Sequence, residues 1–260
     1  MNRQLIVRVA TIALCIATPL AAQDSTSTNG STSSDVLDQF PVGETLEFDA
    51  KYGLLKLGRA AMRVVGQDTV RGESTVHFQF VLSANALGII RMHDVFDSWV
   101  GRNDFESRRF QQKFDEPGQK RTTSYEIFPD SGLYWQEGVD SSMTLSENPL
   151  DDAAFFYFVR TLDLVPGTRY EFDNYFRPDR NPVIIEVAER DTIDVPAGRF
   201  ATVVVKPTIK GGGIFKEGAD GRIWITDDDR RLIVQMKAKF GFGTVTLRLT
   251  DTDGLREETL

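Results

Sequence analysis

From Thr45 to Tyr52 the chain alternates, with Leu46, Phe48 and Ala50 apolar and Thr45, Glu47, Asp49 and Lys51 polar. A period of two puts the apolar set on one face of a strand and the polar set on the other. The same rhythm predicts strands near Arg59–Gln67, Ser74–Ala84, His93–Gly101, Phe105–Asp115 and Arg121–Phe128. It resumes at Arg169–Asn174, Val183–Arg190, Ala201–Ile209, Gly221–Thr226, Leu232–Phe240 and Thr244–Leu249. Turn chemistry separates these runs. Pro117-Gly118 has the residues a type II turn wants at its centre, and Pro129-Asp130-Ser131-Gly132 and Val195-Pro196-Ala197-Gly198 suit type I turns.

The rhythm breaks between Asn148 and Leu164. Asn148 offers a cap, Pro149 fits a first turn, Asp151 and Asp152 complement a helix N-terminus, and Val165-Pro166-Gly167 stops the helix. On this helix Phe155, Phe158 and Leu162 mark one side, Phe156 and Val159 turn towards another, and Tyr157 points in a third direction. A surface helix is apolar over one stripe. One that is apolar on several faces must be covered on several faces, so the sheet is expected to curl around it. Arg160, a charge on this apolar helix, is expected to snorkel or to pair with a carboxylate.

The helix divides two runs of strands of similar size, without a strict repeat. The expectation is one mostly β domain over residues 39–260, not two. Its architecture is a single curved antiparallel sheet or incomplete β-barrel of about ten to twelve strands with one central helix in its concave face.

The N-terminus changes the picture of where this domain works. Arg3 and Arg8 precede an apolar run from Val9 to Leu20, followed by Ala21-Ala22. This is the order of a secretory signal peptide, read as residues 1–22 with cleavage after Ala22. The run is shorter than the ~20 apolar residues of a spanning helix, and no second such run follows, so no transmembrane segment is expected in the mature chain. Leu14 before Cys15 is not the small residue that lipid attachment requires, so Cys15 reads as part of the apolar run. Residues 23–38 are read as a disordered Ser/Thr-rich lead. The expected location is the periplasm or the exterior.

Past the leader the chain has no cysteine, so a hydrophobic core, to which 18 phenylalanines contribute, replaces disulfides as the source of stability. The net charge is −8, and two of the 30 basic residues belong to the leader. That balance argues against nucleic acid as a partner and against charge-driven binding to anionic lipid surfaces.

Catalytic and metal chemistry find little support. His77 and His93 are the only histidines, and His93 and Asp97 share a strand face from which Asp94 points away. Asp227-Asp228-Asp229 followed by Arg230-Arg231 lacks the alternating acids and central glycine of a calcium loop and reads as a solvated turn. There is no Gly-x-Ser-x-Gly elbow, and Gly211-Gly212-Gly213 reads as a hairpin tip because no Lys-Ser or Lys-Thr follows it. Paired carboxylates for glycan hydrolysis stay open among 38 acids, but no spacing singles out a pair. No catalytic residue, metal or cofactor is assigned.

Several segments together resemble a known family. They are Val42-Gly43-Glu44-Thr45-Leu46-Glu47-Phe48 with Leu57-Gly58-Arg59-Ala60, and Pro149-Leu150-Asp151-Asp152-Ala153 with Arg160 and Val165-Pro166-Gly167. Val195-Pro196-Ala197-Gly198-Arg199-Phe200 follows, then Ile223-Trp224-Ile225-Thr226-Asp227-Asp228 with Phe240-Gly241. Over nearly the whole mature chain this resembles the exported bacterial family called domain of unknown function 3108, with Ile233 where a proline is expected. The resemblance implies a curved sheet around a helix, similar to the periplasmic carriers of lipoproteins. It carries over no catalytic residue.

The leading functional expectation is non-catalytic binding of a lipid or other apolar or amphipathic ligand between helix and sheet. The candidate lining is Phe155, Phe156, Phe158, Val159, Leu162 and Trp224, although a tryptophan in an alternating strand is usually core. The alternatives are an envelope interaction or scaffold module whose partner is another envelope protein, and a carboxylate-based glycan-acting enzyme.

Overall fold

A computed structural model of the chain describes residues 35–86, 90–210, 215, 216, 218, 220–240 and 243–253. The predicted leader, most of the predicted lead and the Gly211–Gly213 run lie outside the described residues.

The elements, in chain order, are a single helical turn α1 (Val36–Gln39), then β1 (Thr45–Tyr52), β2 (Leu55–Val70), β3 (Glu73–Ala86) and β4 (Ile90–Gly101). β5 (Ser107–Glu116), β6 (Gln119–Phe128), β7 (Leu133–Gln136) and β8 (Met143–Thr144) lead to the helix α2 (Asp152–Thr161). β9 (Arg169–Phe172), β10 (Val183–Val195), β11 (Gly198–Ile209), β12 (Arg222–Thr226), β13 (Ile233–Phe240) and β14 (Gly243–Asp253) complete the fold.

All fourteen strands form one antiparallel sheet in the order β8-β7-β6-β5-β4-β3-β2-β1-β14-β13-β12-β11-β10-β9. Two meanders are joined where β1 pairs with β14, near the middle of the sheet. α2 is the crossover from one sheet edge to the other. Among the described residues no regular ladder closes the sheet, but the segments flanking α2 bridge its edges. Leu150 N–H donates to Asn174 C=O at 2.7 Å, and Phe176 N–H donates to Leu150 C=O at 2.9 Å. The expected incomplete barrel is therefore present.

Curvature comes from long strands interrupted by register shifts, at Glu47/Phe48, Val64/Gly66 and Val187/Glu189 among others. Each extra residue bends and twists its strand. Alternation holds between the shifts: in β1 Leu46, Phe48 and Ala50 are buried while their neighbours are not.

Three expectations are corrected. Among the described residues the sheet has fourteen strands, not ten to twelve, because β7 and β8 are too short for a period-two pattern to register. The lead does not run to residue 38. Val36 is buried in the core, and Arg102 donates to Asp35 at 2.8 and 2.6 Å, because an apolar side chain and an ion pair there offset the ordering entropy. Asn148 does not cap α2. It lies three residues upstream at φ +47°, and Asp151 is the cap.

Candidate ligand cavity between helix and sheet

α2 is fixed at both ends by buried charge. At its start Asp151 is fully buried and its Oδ1 accepts from the N–H groups of Ala153 and Ala154 at 2.9 and 3.0 Å. Its Oδ2 accepts from the hydroxyls of Ser98 on β4 and Ser107 on β5 at 2.6 and 2.8 Å. The cap thereby satisfies two orphan helix donors and ties the helix to the sheet. Burial pushes the Asp151 carboxyl up to about 6, against the pull of Ala154 N–H and the two serines.

In its last turn Arg160 donates to Glu44 Oε1 and Oε2 at 2.6 and 2.9 Å, and to the carbonyl of Arg230 at 3.2 Å. Its guanidinium also lies 4.8 Å from the Phe40 ring centroid. Of the two fates expected for Arg160, pairing with a carboxylate is the one observed.

Between these ends the helix is enclosed. Tyr157 stacks on Phe78 of β3 at 3.9 Å, Phe156 lies 5.3 Å from Phe80, and Phe158 meets Phe172 of β9 edge-on at 5.3 Å. Phe215, between β11 and β12, packs 6.0 Å from both Phe155 and Phe156. Rings from both meanders thus surround α2. Burying each such ring contributes roughly 1.5–3 kcal/mol.

The enclosure is not filled everywhere. A partly open cavity of about 380 Å³ lies between the first half of α2 and the concave sheet face. Phe155, Phe156, Phe80, Phe96 and Phe114 give it an aromatic wall, and Met236, Ala238, Val245 and Leu247 close the side built by β13 and β14. Polar groups are few: Gln112, Arg121, Asp152, Arg180 and Lys237. The Arg121 guanidinium lies over the Phe114 ring at 5.0 Å, and Asp152 accepts from the Tyr175 hydroxyl at 3.0 Å and from Gln112 Nε2 at 3.2 Å. Burial raises the Asp152 carboxyl, opposed by Arg180 and the Tyr175 hydroxyl. An apolar cavity of this size with a few polar groups fits a small-molecule site, for which ~300–1,000 Å³ is usual.

Of the residues singled out in the sequence, Phe155 and Phe156 line this cavity. Val159 is fully buried core, Phe158 packs against Phe105 and Phe172, and Leu162 is partly buried against the core. Trp224 is buried in the β12 ladder, and its Nε1 donates to Asp191 at 3.0 Å. Sequence reasoning missed the sheet half of the wall, because alternation identifies an inward face without showing which inward residues border a gap. It also missed Phe215, which seats against the backbone at Gly221. A Cβ there would stand 2.4 Å from the Phe215 ring.

Other candidate chemistry resolves into structure. Asp97 is buried and accepts from Gln79 Nε2 at 2.9 Å, with His77 Nε2 also at 2.9 Å; these bonds outweigh burial and hold its carboxyl low. His93 is exposed and bonds Ser83, so it does not join Asp97. Asp228 accepts from Thr226 and Arg230, and Asp227 from Arg190, in an exposed turn. Among the described residues no cluster of three metal-ligating side chains occurs, and Asp152 is the one acid in the cavity wall.

An antiparallel sheet curled around one crossover helix, with an apolar gap between them, defines a β-barrel-like class of open sheet. The chain belongs to the family of proteins of unknown function DUF3108, whose sequence profile matches residues 47–250. No curated protein matches it. Among solved structures it is similar to a β-barrel-like protein of domain of unknown function DUF1849 from Brucella abortus. That likeness has a TM-score of 0.54 at 11% identity and covers 82% of this chain and 97% of that one. A candidate lipoprotein from Parabacteroides distasonis covers the same shares at 11% identity with a TM-score of 0.36. At this identity the Brucella likeness shows the fold alone, and it agrees with the open sheet described above. Among the described residues no helix is long and apolar enough to cross a membrane.

Proposed function

We propose that this protein is exported to the cell envelope or beyond it and there holds an apolar or amphipathic molecule, without transforming it. The observation that carries this reading is the aromatic cavity between α2 and the sheet. The N-terminal pattern supports export, since a basic start, an apolar run and two alanines precede the domain. The cavity is near the lower end of the usual size range, which suits one apolar chain better than several. Its polar groups, Arg121 and Arg180 among them, offer partners for a head group while the Phe wall takes the tail.

Titration with a fluorescent long-chain fatty acid tests this. Ala238 faces the cavity from β13, so Ala238→Trp fills the gap without removing a polar partner. Saturable binding by the native protein and its loss in the filled variant are expected. Equal binding by both, or none by either, contradicts the reading.

A further inference from the structure

The β1–β2 hairpin carries an unusual tip. β1 ends at Tyr52 and β2 begins at Leu55, which face each other across the two-residue turn Gly53-Leu54. Gly53 at φ +57° supplies the left-handed conformation that such a tight hairpin turn needs. The turn projects Leu54 fully into solvent, at 102% relative exposure, with Leu55 and Tyr52 at 42% and 43% beside it. A single exposed leucine needs no explanation. Three apolar side chains gathered at one hairpin tip do.

Two further observations give the tip a context. The first is its position relative to the cavity. Tyr52 pairs in register with Val245 of β14, and Val245 pairs with Ala238 of β13; both partners line the cavity. The tip is therefore one strand pairing away from the cavity wall. Other wall residues, Leu82, Phe114 and Arg121, lie close to the strand ends that share this end of the sheet.

The second is charge. Next to the tip, on the opposite face of the sheet from the cavity, a trough of about 560 Å³ is lined by Lys56, Arg59, Arg91 and His93, with Ser83 and Asn85. Among the described residues Asp115 is its one acid; Lys120 pairs with it at 2.9 Å, and the charges of Arg91 and His93 also act on it at longer range. Lys56 contacts Asp49 at 2.5 Å. Arg59 and Arg91 have no carboxylate partner within 4.0 Å among the described residues. In a chain of net charge −8 this is a local reversal of sign. It qualifies the expectation, drawn from overall charge, that anionic lipid surfaces are not approached.

We infer that the β1–β2 tip is a membrane-docking wedge for an anionic lipid bilayer. Tyr52, Leu54 and Leu55 enter the region between head groups and acyl chains, while Lys56, Arg59 and Arg91 meet the phosphates. Apolar side chains beside a cationic collar are the two signals that together hold a peripheral protein on an anionic membrane. Docked in this way, the cavity end of the sheet meets the lipid surface from which a ligand is taken or to which it is given. That purpose rests on the proposed function; the docking itself does not.

The test places a polarity-sensitive dye on the full chain through Leu54→Cys or, as a control, Val165→Cys, with Cys15→Ser so that one thiol is labelled. Val165 is exposed at 50% and lies in the loop after α2. With vesicles of phosphatidylcholine and phosphatidylglycerol, the dye at position 54 is expected to brighten and shift to the blue, and the dye at 165 is not. Arg59→Glu with Arg91→Glu should abolish the shift at 54, as should vesicles of phosphatidylcholine alone. A dye at 54 that stays in water on bound vesicles overturns the inference, as does an equal shift at both positions. The fatty-acid titration reads the cavity separately: a chain that fills its cavity but keeps its tip in water loses only the docking, and one that docks with an empty cavity loses only the ligand.

Discussion

Arg160 and Glu44 stand 116 positions apart in sequence and meet in a two-pronged ion pair, with side chains only 1% and 3% exposed. The pair joins the last turn of α2 to the segment that enters β1, and the Arg230 carbonyl adds a contact from the turn between β12 and β13. One cation thus ties together the helix and both meanders. Removing one partner leaves the other buried and uncompensated. Arg160→Met or Glu44→Gln alone should each cost about 3–5 kcal/mol, whereas the double variant should cost clearly less than the two added. Urea unfolding of the four proteins measures this. Additive losses would mean that the two side chains do not act as a pair.

Asp151 predicts a pH dependence. Burial pushes its carboxyl up to about 6 in the fold, from the 3.8 that is ordinary for an aspartate side chain. The folded state therefore keeps a proton that the unfolded state releases. The stability this contributes is complete below pH 3.8 and is lost as pH rises through about 6. The difference amounts to about 3 kcal/mol. Unfolding of the native protein and Asp151→Asn between pH 4 and pH 7 should show the native protein losing ground to the variant as pH rises; a gap that is constant or widens in its favour contradicts this.

Gly221 is expected to resist the smallest substitution. A Cβ at this position would meet the Phe215 ring at 2.4 Å, and that ring packs against Phe155 and Phe156. Gly221→Ala should cost about 1–3 kcal/mol through overpacking. It should also weaken fatty-acid binding, because the displaced ring forms part of the cavity wall. Unchanged binding alongside lost stability would place Phe215 outside the ligand's reach.

Much of this architecture was legible in the chain. The alternation in β1 and the Pro117-Gly118 turn fixed strand positions, and the apolar faces of Phe155, Phe156 and Tyr157 called for a sheet on several sides. The short strands β7 and β8 were not legible, since four and two residues carry no period. The cap is ambiguous in the sequence, because Asn148 and Asp151 both suit a helix start. The choice was made by tertiary contacts, the hydroxyls of Ser98 and Ser107, which local sequence does not contain. The cavity was half visible. Its helix wall follows from a helix that is too apolar, but the gap itself depends on where fourteen strands leave space.

Native mass spectrometry of the protein recovered from cell envelopes without denaturation bears most directly on the enclosed helix and its cavity. The account predicts a bound, non-covalent mass of a single-chain amphiphile on the native protein and none on Ala238→Trp. Native protein that is consistently empty, or a filled variant carrying the same mass, would contradict it.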